Sequence, residues 1–240
     1  IKKEKGEVTS IIVERAGRKE EIEAEAVFSS IPLTEAVKMM TPAADGPVLN
    51  AEKKLFYRDH ITVNLIIEGK ELFPDQWIYV HSPEVKMGRL ANYDNFSSNM
   101  SPENKTTPVS VEYFTFKDDD IWAMPDDKLV ELALEELEYM GLIDRSRYVD
   151  GQVVRETEGY PIYFIGYETH FNTLKDFFAE IPNFYCIGRA GMYKYNNQDH
   201  SLYTGMLAAR NYCGESYDVW QVNIDAKYQE ETSRDELSAS

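Results

Sequence analysis

Hydrophobic and polar positions change period several times along this chain, and each change predicts an element. Between Glu7 and Val27 the runs VTSIIVE and EIEAEAVFSS alternate apolar with polar residues on either side of AGRK. That pattern predicts two strands joined by a turn at Gly17. In SSIPLTEAVKMM, Pro32 stands just before a short helix with Thr34 as its expected cap, fed by a buried strand containing Val27, Phe28 and Ile31. The Pro/Gly-rich TPAADGP at residues 41–47 marks a boundary. Four strand-like segments follow at even spacing, HITVNLIIEG, QWIYVHSP, MGRLANYDNF and PVSVEYFTF, which predicts an antiparallel sheet.

DKLVELALEELEYMG is the clearest helix. Leu129, Leu132, Ala133, Leu137 and Met140 recur at helical spacing, the acidic residues form an opposite, solvated face, and Gly141 ends it. From Tyr148 the run YVDGQVVRETEGYPIYFIGY reads as strand, with Pro161 at a turn or edge. HFNTLKDFFAEIPN then reads as a short amphipathic helix and FYCIG as a buried strand. A polar aromatic loop and an apolar helix come next, and a polar tail begins after Val222.

The order predicts an α+β protein in which the two ends share one layer and an antiparallel sheet with helices is inserted between them. The expected boundaries are 1–45, 46–150 and 151–222, with a tail over 223–240.

With 240 residues, 43% of them hydrophobic, the chain can bury a sizeable core. No apolar run approaches the roughly 20 residues that span a bilayer, so no transmembrane segment is expected. A formal charge of −17 argues against a nucleic-acid partner, which requires a basic stripe. Cys186 and Cys213 are the only cysteines, and neither has metal-ligand spacing; buried thiols in a reducing cytoplasm are the expectation. His60, His81, His170 and His200 are scattered with no metal-binding pair, and no hydrolase signature is present. The Asp118–Asp120 run reads as a solvated turn, and Trp77 and Tyr79 as core or sheet-face packing. The chain begins without Met and without signal-peptide shape, and reads as one whose beginning lies elsewhere.

The stretch FYCIGRAGMYKYNNQDHSLYTGMLAARN concentrates the chemistry. A strand leads through Gly188, Arg189, Ala190 and Gly191 into a helix opened by Asn196, Asn197, Gln198, Asp199, His200 and Ser201. Helix N-termini carry unsatisfied N–H groups and a partial positive charge, which suit a phosphate or an electron-rich carbonyl oxygen. Gly188 and Gly191 allow close backbone approach, and Arg189 supplies a fork of donors. The same spacing is equally that of an ordinary strand–turn–helix in which Asp199 or Ser201 is an N-cap.

This string, with GYPIY upstream and VFSSIPL near the start, resembles the C-terminal half of FAD-dependent oxidoreductases of the amine-oxidase superfamily. The resemblance is strongest to the branch that includes UDP-galactopyranose mutase and protoporphyrinogen-oxidase-like proteins. Gly188, Arg189, Gly191, Tyr193, Lys194 and Tyr195 match the mutase pattern, whereas Asn196, Asn197 and Gln198 replace its Leu-Asp-Met. The resemblance implies the C-terminal part of a Rossmann-like FAD/NAD(P)-binding layer, joined to a substrate-binding domain. It implies FAD, with Gly188, Arg189, Ala190 and Gly191 at the diphosphate and Asn197, Gln198, Asp199, His200 and Ser201 around the ring or ribityl chain. Tyr193 and Tyr195, with Tyr57 and Arg58 of LFYRDH, are the implied contacts to a small-molecule substrate, a sugar nucleotide among the candidates. The implied activity is hydride transfer to flavin, or sugar chemistry on reduced flavin, with no protein acid or base assigned. The Gly-x-Gly-x-x-Gly unit that opens such enzymes has no counterpart here, which implies a fragment inactive alone. The competing reading is a non-enzymatic acidic module whose loop 193–201 binds a sugar nucleotide or a protein.

Overall fold

In a computed structural model, residues 1–101 and 105–224 are described. They divide into two compact units, Ile1–Leu55 with the chain from Tyr163 onward, and Phe56–Ile162. The boundaries thus fall later than the sequence suggests on both sides of the insertion. TPAADGP is not the seam. Its Asp45 caps a further helix by accepting from Val48 N–H at 3.0 Å, and Pro47 occupies the first turn, where a missing N–H costs nothing.

The first unit opens with strands β1 (Lys2–Glu4), β2 (Glu7–Arg15) and β3 (Arg18–Glu23), an antiparallel sheet in the order β1-β2-β3. The β2–β3 turn places Ala16 and Gly17 at φ of 50° and 73°, the twin positive angles that a two-residue hairpin needs. Strand β4 (Val27–Ser29) leads to helix α1 (Leu33–Lys38), and α2 (Gly46–Glu52) follows. Pro32, not Thr34, occupies the N-cap of α1, and Thr34 is buried. Phe28 is exposed rather than core, stacked on Tyr185 at 4.9 Å.

Far along the chain, the same unit gains α5 (Tyr167–Ala179), β10 (Phe184–Cys186) and α6 (Gln198–Tyr212). Strand β10 pairs with β4 in parallel. One side chain ties the hairpin to this junction. Asn183 accepts from Val8 N–H at 2.8 Å and donates to the carbonyls of Val8 and Glu25.

The second unit is a five-stranded antiparallel sheet in the order β6-β7-β8-β5-β9, with β5 (Tyr57–Glu68), β6 (Trp77–Tyr79), β7 (Arg89–Asn92), β8 (Thr106–Thr115) and β9 (Tyr148–Pro161). A short helix, α3 (Tyr93–Phe96), follows β7, and α4 (Asp126–Tyr139) follows β8. Ile61, Val63, Leu65 and Ile67 of β5 point to one face, as period-two alternation requires, and join Val109, Val111, Leu129, Ala133 and Leu137 in the core. Residues 151–161, expected in the other domain, complete this sheet, because β9 pairs with β5 from Tyr148 to Pro161. Asp59 is buried and accepts from Glu158 N–H at 2.9 Å, holding the irregularity where the register of this pair shifts.

The acidic face of α4 is not wholly solvated. Glu136 is buried and accepts from Lys86 N–H at 2.5 Å, Met87 N–H at 3.2 Å and the Tyr113 hydroxyl at 3.0 Å. Its carboxylate serves as a splint for backbone that has no strand partner there. Asp119 does similar work locally, accepting from Phe116 N–H at 2.8 Å and from the Thr115 hydroxyl.

Candidate functional site

The strand–turn–helix junction of the first unit starts where Ile187 N–H donates to Ser29 O at 3.0 Å, the last rung beside β4. Gly188 then turns the chain at φ 77°, a left-handed value that glycine adopts without penalty. Its N–H donates to the buried Thr204 hydroxyl of α6 at 2.9 Å. Asn196, 1% exposed, donates its amide to Gly188 O at 2.9 Å, while its own carbonyl accepts from Arg189 Nε at 2.8 Å. One buried asparagine therefore fixes both the turn and the base of the guanidinium. The Arg189 guanidinium lies 6.0 Å from the centre of the Tyr195 ring.

Gly191 has a different job from the expected one. A Cβ there would meet Ser29 O at 2.4 Å and Ile187 O at 2.5 Å, both backbone of this unit. The missing side chain admits the protein's own strands. Ala190 likewise turns inward, its carbonyl accepting from Leu33 N–H at 3.1 Å and Tyr193 N–H at 3.2 Å.

The aromatic loop is held from two directions. The Tyr163 hydroxyl donates to Tyr193 O at 3.2 Å and accepts from Tyr195 N–H at 3.2 Å. Burial pushes this phenol up to about 12, so it stays a donor across the physiological range. Lys194 reaches the other way and donates to the carbonyls of Trp220 and Val222, each at 2.7 Å. Burial, helped by the nearby Lys175, lowers its pKa.

Tyr193 is 1% exposed, set among Tyr163, Tyr167 and Phe171, which makes it a packing residue rather than the expected substrate contact. Tyr195 is 43% exposed and keeps a face to solvent.

Helix α6 starts at Asn197, whose N–H donates to His200 Nδ1 at 3.2 Å. His200 thus closes the first turn as an acceptor, which places its ring proton on Nε2. The side chains of Asn197, Gln198 and Asp199 are exposed, His200 and Ser201 half-buried. Beyond them Leu202, Tyr203 and Met206 leave an apolar stripe on the same helix at 71%, 50% and 57% exposure. An accessible row of amide and carboxylate groups at the positive end of a 15-residue helix fits the polar edge of a nucleotide-type cofactor. Asp199 suits hydroxyl groups and repels phosphate, so Arg189 is the residue of this set with the charge for a diphosphate.

Tyr57 and Arg58 lie in the second unit. Tyr57 is buried on the core face of β5, which removes it as a ligand contact, whereas Arg58 is exposed over the Phe116 ring at 5.5 Å. Register also assembles a cluster that was not anticipated on the face of this sheet opposite α4. Glu112 accepts from Arg89 Nε at 3.0 Å and lies 3.2 Å from His60 Nε2, and Arg89 donates to the Tyr160 hydroxyl at 3.3 Å. Trp77, Tyr79 and Phe114 each have the Arg89 guanidinium 5.8 Å from the ring centre. Burial opposes ionisation of Glu112, yet its hydrogen bonds from His60 and Arg89 outweigh that and hold its carboxyl below the usual value. The signal was available: His60, Glu112, Arg89 and Tyr79 occupy same-face positions once β5, β8, β7 and β6 are aligned.

No protein-family model matches this chain, and no curated protein matches it in sequence. Solved structures do. The crystal structure of a reduced UDP-galactopyranose mutase aligns with TM-score 0.73 at 19% identity, over 87% of this chain and 46% of that one. A protein of Exiguobacterium sp. 255-15, assigned as a protoporphyrinogen oxidase, aligns with TM-score 0.54 at 19% identity, over 75% of this chain and 40% of that one. The chain therefore spans less than half the length of these proteins, and at such identity the likeness is one of fold. Among the described residues, no helix is long and apolar enough to cross a membrane.

Proposed function

We propose that this chain is part of an FAD-dependent oxidoreductase of the amine-oxidase superfamily, with the junction from Gly188 to Ser201 as its share of the cofactor site. The observation that carries the reading is the Asn196-pinned turn that fixes the base of Arg189 just ahead of the open N-terminus of α6. The fold shared with a mutase and with a protein assigned as a protoporphyrinogen oxidase supports it, since both kinds of protein fall in the branch the segment resembles.

In this reading Arg189 neutralises the diphosphate, and the head of α6, with Asn197, Gln198 and Asp199, orients the ribityl chain or ring. His200, spent on capping, holds the helix start in place. Bound FAD would supply the two-electron chemistry, and the protein supplies binding, orientation and electrostatics. Tyr195 is the accessible substrate-side residue of the first unit. The remaining cofactor contacts come from sequence outside this chain.

The test is an absorption spectrum of the full-length natural protein, followed by titration of its apo form with FAD. Flavin bands and a saturable complex are expected, and Arg189→Ala should weaken binding by about tenfold or more, the usual scale for losing a charge-assisted bond. A full-length protein that is colourless and ignores added FAD refutes the proposal.

A further inference from the structure

Resting on the flavin reading, we propose that residues 218–223 form a positioning strap for the cofactor loop, with Asn223 and Lys194 as its two fasteners. The segment runs back over the loop after α6 has ended, and no sequence motif announces it. Asp218 starts it by accepting from Trp220 N–H at 3.0 Å. Val219 and Val222 are buried, and Trp220 packs edge-on against Phe171 of α5, with ring centres 5.7 Å apart. These contacts anchor the strap to the same helix whose Phe171 packs against Tyr193.

Two polar links then cross from strap to loop. Lys194 donates to Trp220 O and Val222 O, so its ammonium is taken up by the strap's backbone rather than directed toward a ligand. Asn223 donates one amide to Tyr195 O at 3.1 Å and to Asn196 Oδ1 at 3.2 Å. The second contact has leverage. Asn196 must present its Nδ2 to Gly188 O, and its backbone carbonyl holds Arg189 Nε. A donor on Asn196 Oδ1 fixes which way that buried amide faces. The path thus runs from Asn223 to Asn196, and from Asn196 to both the turn and the guanidinium. Asn223 sits at φ 58°, a left-handed conformation that asparagine tolerates better than most residues, which suits it to end the strap.

The assignment separates loop residues that touch a ligand from those that hold the loop. Lys194, which lies in the segment resembling the mutase, holds it. Without the strap the loop keeps its Tyr163 clasp but loses the links on its other side.

The experiment uses the full-length chain with Asn223→Gly, which removes the amide without backbone strain, Asn223→Asp, which keeps the backbone but reverses the hydrogen bonding, and Lys194→Met. Hydrogen exchange is read on peptides spanning residues 188–197 without flavin, and FAD affinity is measured separately. Exchange in those peptides should rise by about tenfold in each variant, while peptides from β5 and β8 stay at the wild-type rate. The FAD Kd should rise by about tenfold through the misplaced Arg189. If wild type binds FAD and the variants match it in either exchange or affinity, the strap has no positioning role and the inference fails. A wild type that ignores FAD refutes the flavin reading instead, and the exchange measurement alone then decides whether the strap orders the loop.

Discussion

Gly191→Ala separates two explanations of the Gly-Arg-Ala-Gly turn that sequence inspection cannot tell apart. If the glycine exists to let a cofactor approach, alanine should leave the fold intact and damage binding. The geometry assigns the opposite. The added Cβ would lie 2.4 Å from Ser29 O, 2.5 Å from Ile187 O and 3.1 Å from Ser30 Cα, and real Cβ contacts essentially never fall below 3.0 Å. All three obstacles are backbone, and Ser29 O is also the acceptor for Ile187 N–H, so neither side can swing away as a flexible side chain would. Overpacking of this kind costs about 1–3 kcal/mol, and backbone obstruction puts the cost at the upper end. Alanine restricts the unfolded chain and returns about 0.4–1 kcal/mol, which leaves a net loss of about 2 kcal/mol. For a unit of this size that is a fall of roughly 6–10 °C in midpoint. Thermal unfolding followed through Trp220, with hydrogen exchange to assign the loss to the first unit, measures it. A variant with wild-type stability and a selective loss of flavin affinity would refute the packing argument and return Gly191 to the ligand.

Three further outcomes follow from single side chains. Glu136→Ala strips acceptors from Lys86 N–H, Met87 N–H and the Tyr113 hydroxyl, and should lower the urea-unfolding free energy of the second unit by about 3 kcal/mol; a change under about 1 kcal/mol would mean the carboxylate is not the splint. Glu112 has its folded pKa below the unfolded value, so its contribution is complete above the ordinary carboxylate range and is lost as pH falls through the folded value. Urea midpoints taken from pH 6 down to pH 3 should therefore fall less steeply in Glu112→Gln than in wild type, and equal slopes would contradict the assignment. Cys213 is exposed and Cys186 buried, with burial raising the Cys186 thiol well above its normal range. Alkylation of the native protein mapped by mass spectrometry should label Cys213 within minutes and Cys186 only after unfolding.

The alternation along β5 and the helical spacing of Leu129, Ala133 and Leu137 could be read directly, because burial on one face imposes a period that residues within one element carry themselves. The same holds for the left-handed turn at Gly17, where a local backbone angle demands a local residue type. The polar mouth of α6 was legible too, since capping and donor clusters are sequence-local. Four assignments were not. Tyr193 and Tyr57 look like site residues in a row of aromatic and polar letters, and both are buried. Glu136 looks like one more solvated acid, and Gly191 like a place for a ligand.

Sequence by itself determined most of the strands and helices, though not β1, α2 or α3, and where donors gather ahead of α6. Tertiary structure alone decided that residues 148–161 belong with β5, that Glu136 faces inward, and that Asn223 reaches Asn196. The physical reason is that periodicity is set by neighbours a few positions apart. Register, burial of a polar atom and the partner of a buried amide are instead set by residues far along the chain, and nothing local encodes their distance.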